Sequence, residues 1–184
     1  MPAQPGIRDS AGKEKRELMA RISPKQSGVE SREGFTMRPA TAADVEHLVH
    51  FRRGMYADMG NEDATALEQM QATSRSYFAK ALVNGSCKAW IVEADGRVVA
   101  GGAIIISPWP SHPGDSSTKK AMILNLYTEH EYRRRGIARR LMEAMIAWCR
   151  AEGFRSVALH ASTDGRHLYE SLGFEPTNEM RLML

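Results

Sequence analysis

Two apolar runs, AMILNLYT at residues 121–128 and FRSVALHA at 154–161, flank RRGIARRLMEAMIAWCRAEG, whose apolar side chains recur at helical spacing. Ile137, Leu141, Met145 and Trp148 share one face of that helix, while Arg139, Arg140, Glu143 and Arg150 share the other. A strand, a crossover helix and a second strand lie in one sheet with the strands parallel. An antiparallel pair joins them, because CKAWIVEADGRVVAGGAIII reads as strand, Asp95-Gly96 turn and strand. The fold class that follows is α/β, an α+β arrangement of three layers around a mixed central sheet.

The remaining elements fall around this frame. FTMRPA alternates as a strand, and Thr41 offers an N-cap for the helix AADVEHLVHFRRGMYADMG. DATALEQMQATSRSYFAKALVNG repeats apolar positions as a second helix and stops at Asn84-Gly85. SPWPSHPGDSSTKK, with three prolines, is a loop long enough for a functional role. DGRHLYESLGF is a short helix closed by Gly173, and EPTNEMRLML reads as a last strand. The sum is about six to seven strands flanked by four helices.

With 184 residues, the chain has room for one domain with a sizeable core. Residues 1–34 are rich in Pro, Gly, Ser and charge and are expected to form a disordered tail, leaving 35–184 as a single folded domain. Two cysteines, Cys87 and Cys149, suggest neither a disulfide framework nor a zinc site, so no metal is expected. There is no apolar run of about 20 residues and no signal-peptide core, which points to a cytoplasmic protein without a membrane partner. The stripe RRRGIARR could contact nucleic acid. Against that, Glu129, Glu131 and Glu143 interrupt its charge, and no aromatic stacking platform accompanies it.

The element order, YRRRGIA at the entry to the third helix, LYESLGF in the fourth and the opening MRPATAADVEHL together resemble the GNAT superfamily of acyl-CoA-dependent N-acyltransferases over residues 35–184. The family signature, Arg or Gln, two residues, Gly, one residue, then Gly or Ala, is met by Arg133, Gly136 and Ala138. The resemblance implies a GNAT fold with splayed fourth and fifth strands and acetyl-CoA as acyl donor. A helix N-terminus has unpaired N–H groups and partial positive charge, which suit a pyrophosphate, and Gly136 lets the backbone approach it. By resemblance, the amides of Arg134, Arg135, Gly136, Ile137, Ala138 and Arg139 hold that pyrophosphate, with the arginine side chains at the rim. Leu126, Tyr127 and Thr128 then line the pantetheine arm, and the Leu126 N–H serves as the oxyanion donor. Tyr169 matches the tyrosine that protonates the departing thiolate. Ser162 and Gly165 stand where the family often has Asn and Ala.

A base for the attacking amine is less defined. Glu93, His160, Glu129 and His130 are the candidates, and each also has a structural reading. Arg52, Arg53, Tyr56 and Trp109 are candidates to meet an acceptor over the first two helices and the proline loop. That acceptor is expected to be a small-molecule amine or a protein N-terminus, reached by direct attack in a ternary complex. An acyl-CoA-binding sensor that transfers nothing is the alternative, and EMRLML could pair across a homodimer.

Overall fold

The computed structural model describes residues 29–30 and 34–183. Val29 and Glu30 pair with Met37 and Thr36, so this part of the expected tail joins the sheet, while the expectation for residues 1–28 and 31–33 lies outside the described residues. The chain runs β1 (Val29–Glu30), β2 (Phe35–Pro39), a 3-10 turn (Ala42–Asp44), α1 (Val45–Asp58), α2 (Ala64–Asn84), β3 (Cys87–Ala94) and β4 (Arg97–Pro108). It continues with β5 (Lys119–Thr128), a 3-10 turn (His130–Tyr132), α3 (Ile137–Ala151), β6 (Val157–Leu159) and α4 (Arg166–Ser171). The strands lie in one sheet in chain order, antiparallel throughout except for the parallel β5–β6 pair.

Local chemistry sets the boundaries. Asp95 and Gly96 take positive φ, 51° and 73°, as a two-residue turn with right-handed strand twist requires. Asp63 caps α2 through the Ala66 N–H, and Gly85 ends that helix at φ 79°. The expected strand at 154–161 shortens to three residues.

One face of the sheet packs against α3, through Ile137, Leu141, Met142, Met145 and Cys149 on Trp90, Val92, Ala100, Ile104 and Ile123. The other face packs against α1 and α2, through Val45, Leu48, Val49, Phe78 and Ala81 on Cys87, Ala89, Ile91 and Ala103. β4 lies between both helix layers. A Cβ on Gly101 would sit 3.0 Å from the Phe51 ring of α1, and one on Gly102 would sit 2.9 Å from Met145 of α3. Two adjacent glycines therefore let helices close in on opposite faces at one level. No helix among the described residues is long and apolar enough to cross a membrane.

The last strand expected from EPTNEMRLML does not form. Residues 174–183 carry no regular element, and Met180, Leu182 and Met183 stay exposed. β6 is too short an edge to template a long partner. Side chains tie the segment down instead: Glu179 meets His160 at 3.1 Å and Arg181 at 3.4 Å. Pairing of this stretch across a dimer thereby loses the strand it was built on.

The start of the α-helical layer depends on a buried carboxylate. Asp44, 4% exposed, accepts from both terminal guanidinium nitrogens of Arg38 at 2.9 Å, and it also accepts from the Thr41 N–H and hydroxyl. The Arg38 hydrogen bonds, opposed by burial and aided by Thr41, hold its pKa at about 2. A depressed carboxyl stabilises the fold above the unfolded-state pKa of about 3.9, and that stabilisation is lost as pH falls through the folded value. Wild-type stability is therefore expected to drop by about 2 kcal/mol between roughly pH 4 and pH 2 from this residue alone. Asp44→Asn should lower Tm at pH 7 and flatten that part of the curve, as read by urea midpoints across pH.

Candidate active site

The site begins where β5 leaves its neighbour. β5 pairs with β6 only at Ala121, Met122 and Ile123, opposite Val157, Ala158 and Leu159. On its other side the register with β4 jumps from Ala103↔Leu124 to Gly101↔Tyr127. Asn125 and Leu126 thus oppose the single residue Gly102, and Asn125 takes φ 61°. This is a β-bulge, which turns a strand and interrupts its ladder. Neither Asn125 nor Leu126 has a ladder partner on either side, and Leu126, Tyr127 and Thr128 run beside an open gap.

Beyond Thr128 the arginine loop folds back. Arg133 donates from Nε to the Thr128 carbonyl at 2.9 Å, pairs with Asp58 at the end of α1 and lies 5.4 Å over the Tyr127 ring. Tyr127 in turn stacks on Phe51, 5.7 Å between centroids, and presses so closely on Gly54 that a Cβ there would meet its ring at 2.7 Å. Burial opposes the charge on Asp58, but Arg133 and His130 together hold its carboxyl below the usual range. The signature arginine is a brace between β5 and α1.

Its neighbours divide the work differently. Arg135 donates to the Glu131 carbonyl at 3.0 Å and covers the Tyr132 ring, while Arg139 donates to Ser171 Oγ of α4 at 2.6 Å. Arg134 takes φ 63° and Gly136 φ 76°, two left-handed residues that turn the loop into α3. The first hydrogen bond of α3 runs from the Arg140 N–H to the Gly136 carbonyl at 3.1 Å, leaving the Ile137, Ala138 and Arg139 N–H groups without intrahelical partners. A Cβ on Gly136 would meet nothing within 4 Å, so the protein itself does not fill the space over the loop. A cleft of about 660 Å³ opens there, lined by Arg134, Gly136, Arg140 and Phe35 among others.

Tyr169 is half-buried on α4. Its ring lies back over Gly165, where a Cβ would come within 2.6 Å of it, and packs edge-on against Phe174 at 6.1 Å. Burial pushes the phenol pKa up, which keeps it protonated, and its hydroxyl has no hydrogen-bond partner among the described residues. Ser162 Oγ accepts from the Gly165 N–H at 3.2 Å, fixing the approach to α4. The buried Thr128 hydroxyl has no partner either.

The base candidates are all engaged. Glu93 is held by Arg38 Nε at 2.8 Å, and its strand lies two strand spacings, about 10 Å, from β5. His160 is held by Glu179, so neither it nor Glu93 stands free beside the bulge. Glu129 meets His50 at 2.7 Å, and His130 meets Asp58 at 3.2 Å. Burial raises the Cys87 and Cys149 thiols to about 12 and about 11, far from thiolates at neutral pH. Among the described residues no group of three or more His, Cys, Asp or Glu could hold a metal ion.

The acceptor candidates separate into two places. Arg53 and Tyr56 flank Gly54 beside Tyr127, and Arg52 stacks on Tyr56 at 5.1 Å. Trp109 lies past Lys119, eight positions from Tyr127 along β5, or about 25 Å at the strand rise. There it stacks under Lys120 at 4.8 Å. Trp109 and the α1 residues do not line one site. Asn125, Gly54 and Asp58 were not singled out from sequence; a lone Asn within an apolar strand was the one available signal.

Residues 54–174 match the family model described as the acetyltransferase (GNAT) family. N-acetyltransferase 8 of Homo sapiens is 28% identical over 120 residues, 64% of this chain and 49% of that protein. The chain thus spans about half the length of the curated relatives it matches. A GCN5-related N-acetyltransferase from Ralstonia eutropha JMP134 superposes with a TM-score of 0.77 at 33% identity, covering 82% of this chain and 99% of that one. A "predicted acetyltransferase" of Clostridium acetobutylicum, solved with acetyl-CoA, gives 0.73 at 27% identity, covering 82% and 96%. The split β5–β6 edge, the arginine loop and the tyrosine helix therefore sit in a member of the GNAT acetyltransferase family.

Proposed function

We propose that the chain transfers an acetyl group from acetyl-CoA directly to an amine. The observation that carries this reading is the left-handed Arg134–Gly136 loop, which follows the open end of β5 and presents amides without intrahelical partners at the start of α3. Amides at a helix N-terminus suit a pyrophosphate, and the space left over Gly136 suits its approach.

The amine nitrogen forms a bond to the thioester carbonyl carbon, whose oxygen gains charge and is stabilised by the Leu126 N–H. The carbon–sulfur bond then breaks, and the departing sulfur takes the Tyr169 proton. The amine must lose a proton before or during attack. At pH 7 this costs about 4–5 kcal/mol for a lysine-like amine and about 1 kcal/mol for an α-amine. Glu129, bonded to His50, is the base candidate that directly follows Thr128 in the chain. The acceptor, a small-molecule amine or a protein N-terminus, enters beside Arg53 and Tyr56 of α1.

Acetyl-CoA at 100 times its Kd should stabilise the fold by about 2.7 kcal/mol, or about 5–10 °C in Tm. Gly136→Val should abolish most of that shift; an unshifted wild-type protein would remove the acyl-CoA reading. Stabilisation without thiol release across a broad amine panel would favour a sensor instead.

Tyr169→Phe is expected to lower kcat by about 10- to 100-fold with little change in KM for acetyl-CoA. Gly165→Ala should approach the same loss, because the added methyl displaces the Tyr169 ring, and the double variant should be no worse than either parent. Steady-state kinetics on all three decide it, and additive losses would separate Gly165 from the tyrosine. With a lysine-like acceptor, kcat/KM should climb about tenfold per pH unit from 6 to 8, since the acid stays protonated and only the amine titrates.

A further inference from the structure

Asn125 is a costly residue for its position. It is 1% exposed and takes φ 61° within an otherwise apolar strand. Its Nδ2 donates to the Leu48 carbonyl of α1 at 2.9 Å, while its Oδ1 accepts no hydrogen bond among the described residues. A buried amide used on one side only lowers stability. Glycine would take the same φ without that penalty. Neither packing nor backbone freedom explains asparagine here. It alone combines tolerance of the left-handed conformation with a side-chain donor that reaches the facing helix.

The reference point it reaches is rigid. Leu48, Val49 and Phe51 are at most 1% exposed, so this stretch of α1 is fixed in the core. Tyr127 braces the strand against the same helix, stacked on Phe51 and seated on Gly54. Leu126 lies between these two anchors and has no ladder partner on β4 or β6 to orient its amide.

We propose that Asn125 is a positioning residue, whose bond to the Leu48 carbonyl sets the bulge so that the Leu126 N–H faces the thioester carbonyl. This rests on the acetyl-transfer reading above. The core of α1 then dictates the direction of the donor, and the side chain of Asn125 never touches the reacting atoms.

Two variants separate backbone from hydrogen bond. Asn125→Gly keeps the conformation and loses the side chain, and Asn125→Ala loses the donor together with the tolerance of the left-handed conformation. Each would be assayed for acetyl-CoA hydrolysis with water as acceptor, and with the amine giving the fastest wild-type thiol release. The Leu126 amide resonance would be followed by 15N–1H spectroscopy as acetyl-CoA is added. In both variants kcat should fall 10- to 100-fold in both assays, with KM for acetyl-CoA within twofold and the ligand-induced rise in Tm retained. The Leu126 amide shift seen in the wild type should shrink. Wild-type kcat, an unchanged Leu126 shift, or a parallel loss of kcat and acetyl-CoA affinity would overturn the proposal, as would failure of both variants to fold, which would make Asn125 structural only. If the wild type itself shows no thiol release and no response of Leu126, the acetyl-transfer reading has failed; if it turns over and the folded variants match it, only the positioning role has failed.

Discussion

Asn125 and Leu126 stand against the single residue Gly102, and that mismatch turns the end of β5 away from β6. An extra residue in a strand adds twist and bends it. Three consequences meet at one level of the sheet. The edge of β5 opens after Ile123, the Tyr127 ring swings onto Phe51 and Gly54, and Thr128 delivers the chain to the arginine loop. Gly102 makes this compatible with a tight second layer, because Met145 of α3 occupies the space a side chain there would need. Were α3 forced to lift, the arginine loop that joins it to β5 would shift with it.

On the proposed reading the loop binds with its backbone, while its side chains hold its shape. An arginine in the left-handed region costs about 1–2 kcal/mol, and Arg134 sits there at φ 63°. That strain persists because the residues around it are tied down. Arg133 reaches Thr128, Asp58 and Tyr127, Arg135 reaches Glu131 and Tyr132, and Arg139 reaches Ser171. Exposed ion pairs singly contribute about 0–1 kcal/mol. Of these arginines only Arg133 is part-buried, and its contacts with a carbonyl and a ring do most to hold the strained residue beside it.

Local rules carried the sequence reading a long way. The crossover from β5 to β6, the Asp95-Gly96 hairpin and the Gly85 stop all follow from short-range chemistry and stand in the fold, and the Thr41 cap stands too, on the 3-10 turn that leads into α1. Gly136 was legible as the entrance to α3, although its left-handed φ gives a second reason for glycine. What escaped depends on partners distant in sequence. Whether Arg133 meets a ligand or Asp58, 75 positions earlier, is decided by the approach of α1. The apolar alternation of EMRLML could not reveal that β6 would be three residues long and offer it no ladder. The splay at this end of β5 was expected from the family resemblance, but the register jump at Asn125 and Leu126 that produces it was not read from AMILNLYT itself, where the lone Asn was its one mark.

The proposed acid and base roles are not built alike. Burial raises the Tyr169 pKa and so favours its protonated form, which is the state a proton donor requires. Each base candidate instead has a charged or titratable partner: Glu93 has Arg38, His160 has Glu179, Glu129 has His50 and His130 has Asp58. A carboxylate paired with arginine is a weaker base than a free one, so Glu93 is poorly suited to draw a proton from an ammonium. On the proposed route the amine therefore bears most of the cost of its own deprotonation. That cost differs by about 3–4 kcal/mol between an α-amine and a lysine-like amine at pH 7, a factor of several hundred in reactive fraction. On that route, a protonated donor with every base candidate already partnered leaves acceptors to be discriminated by their own pKa before any side chain contacts them.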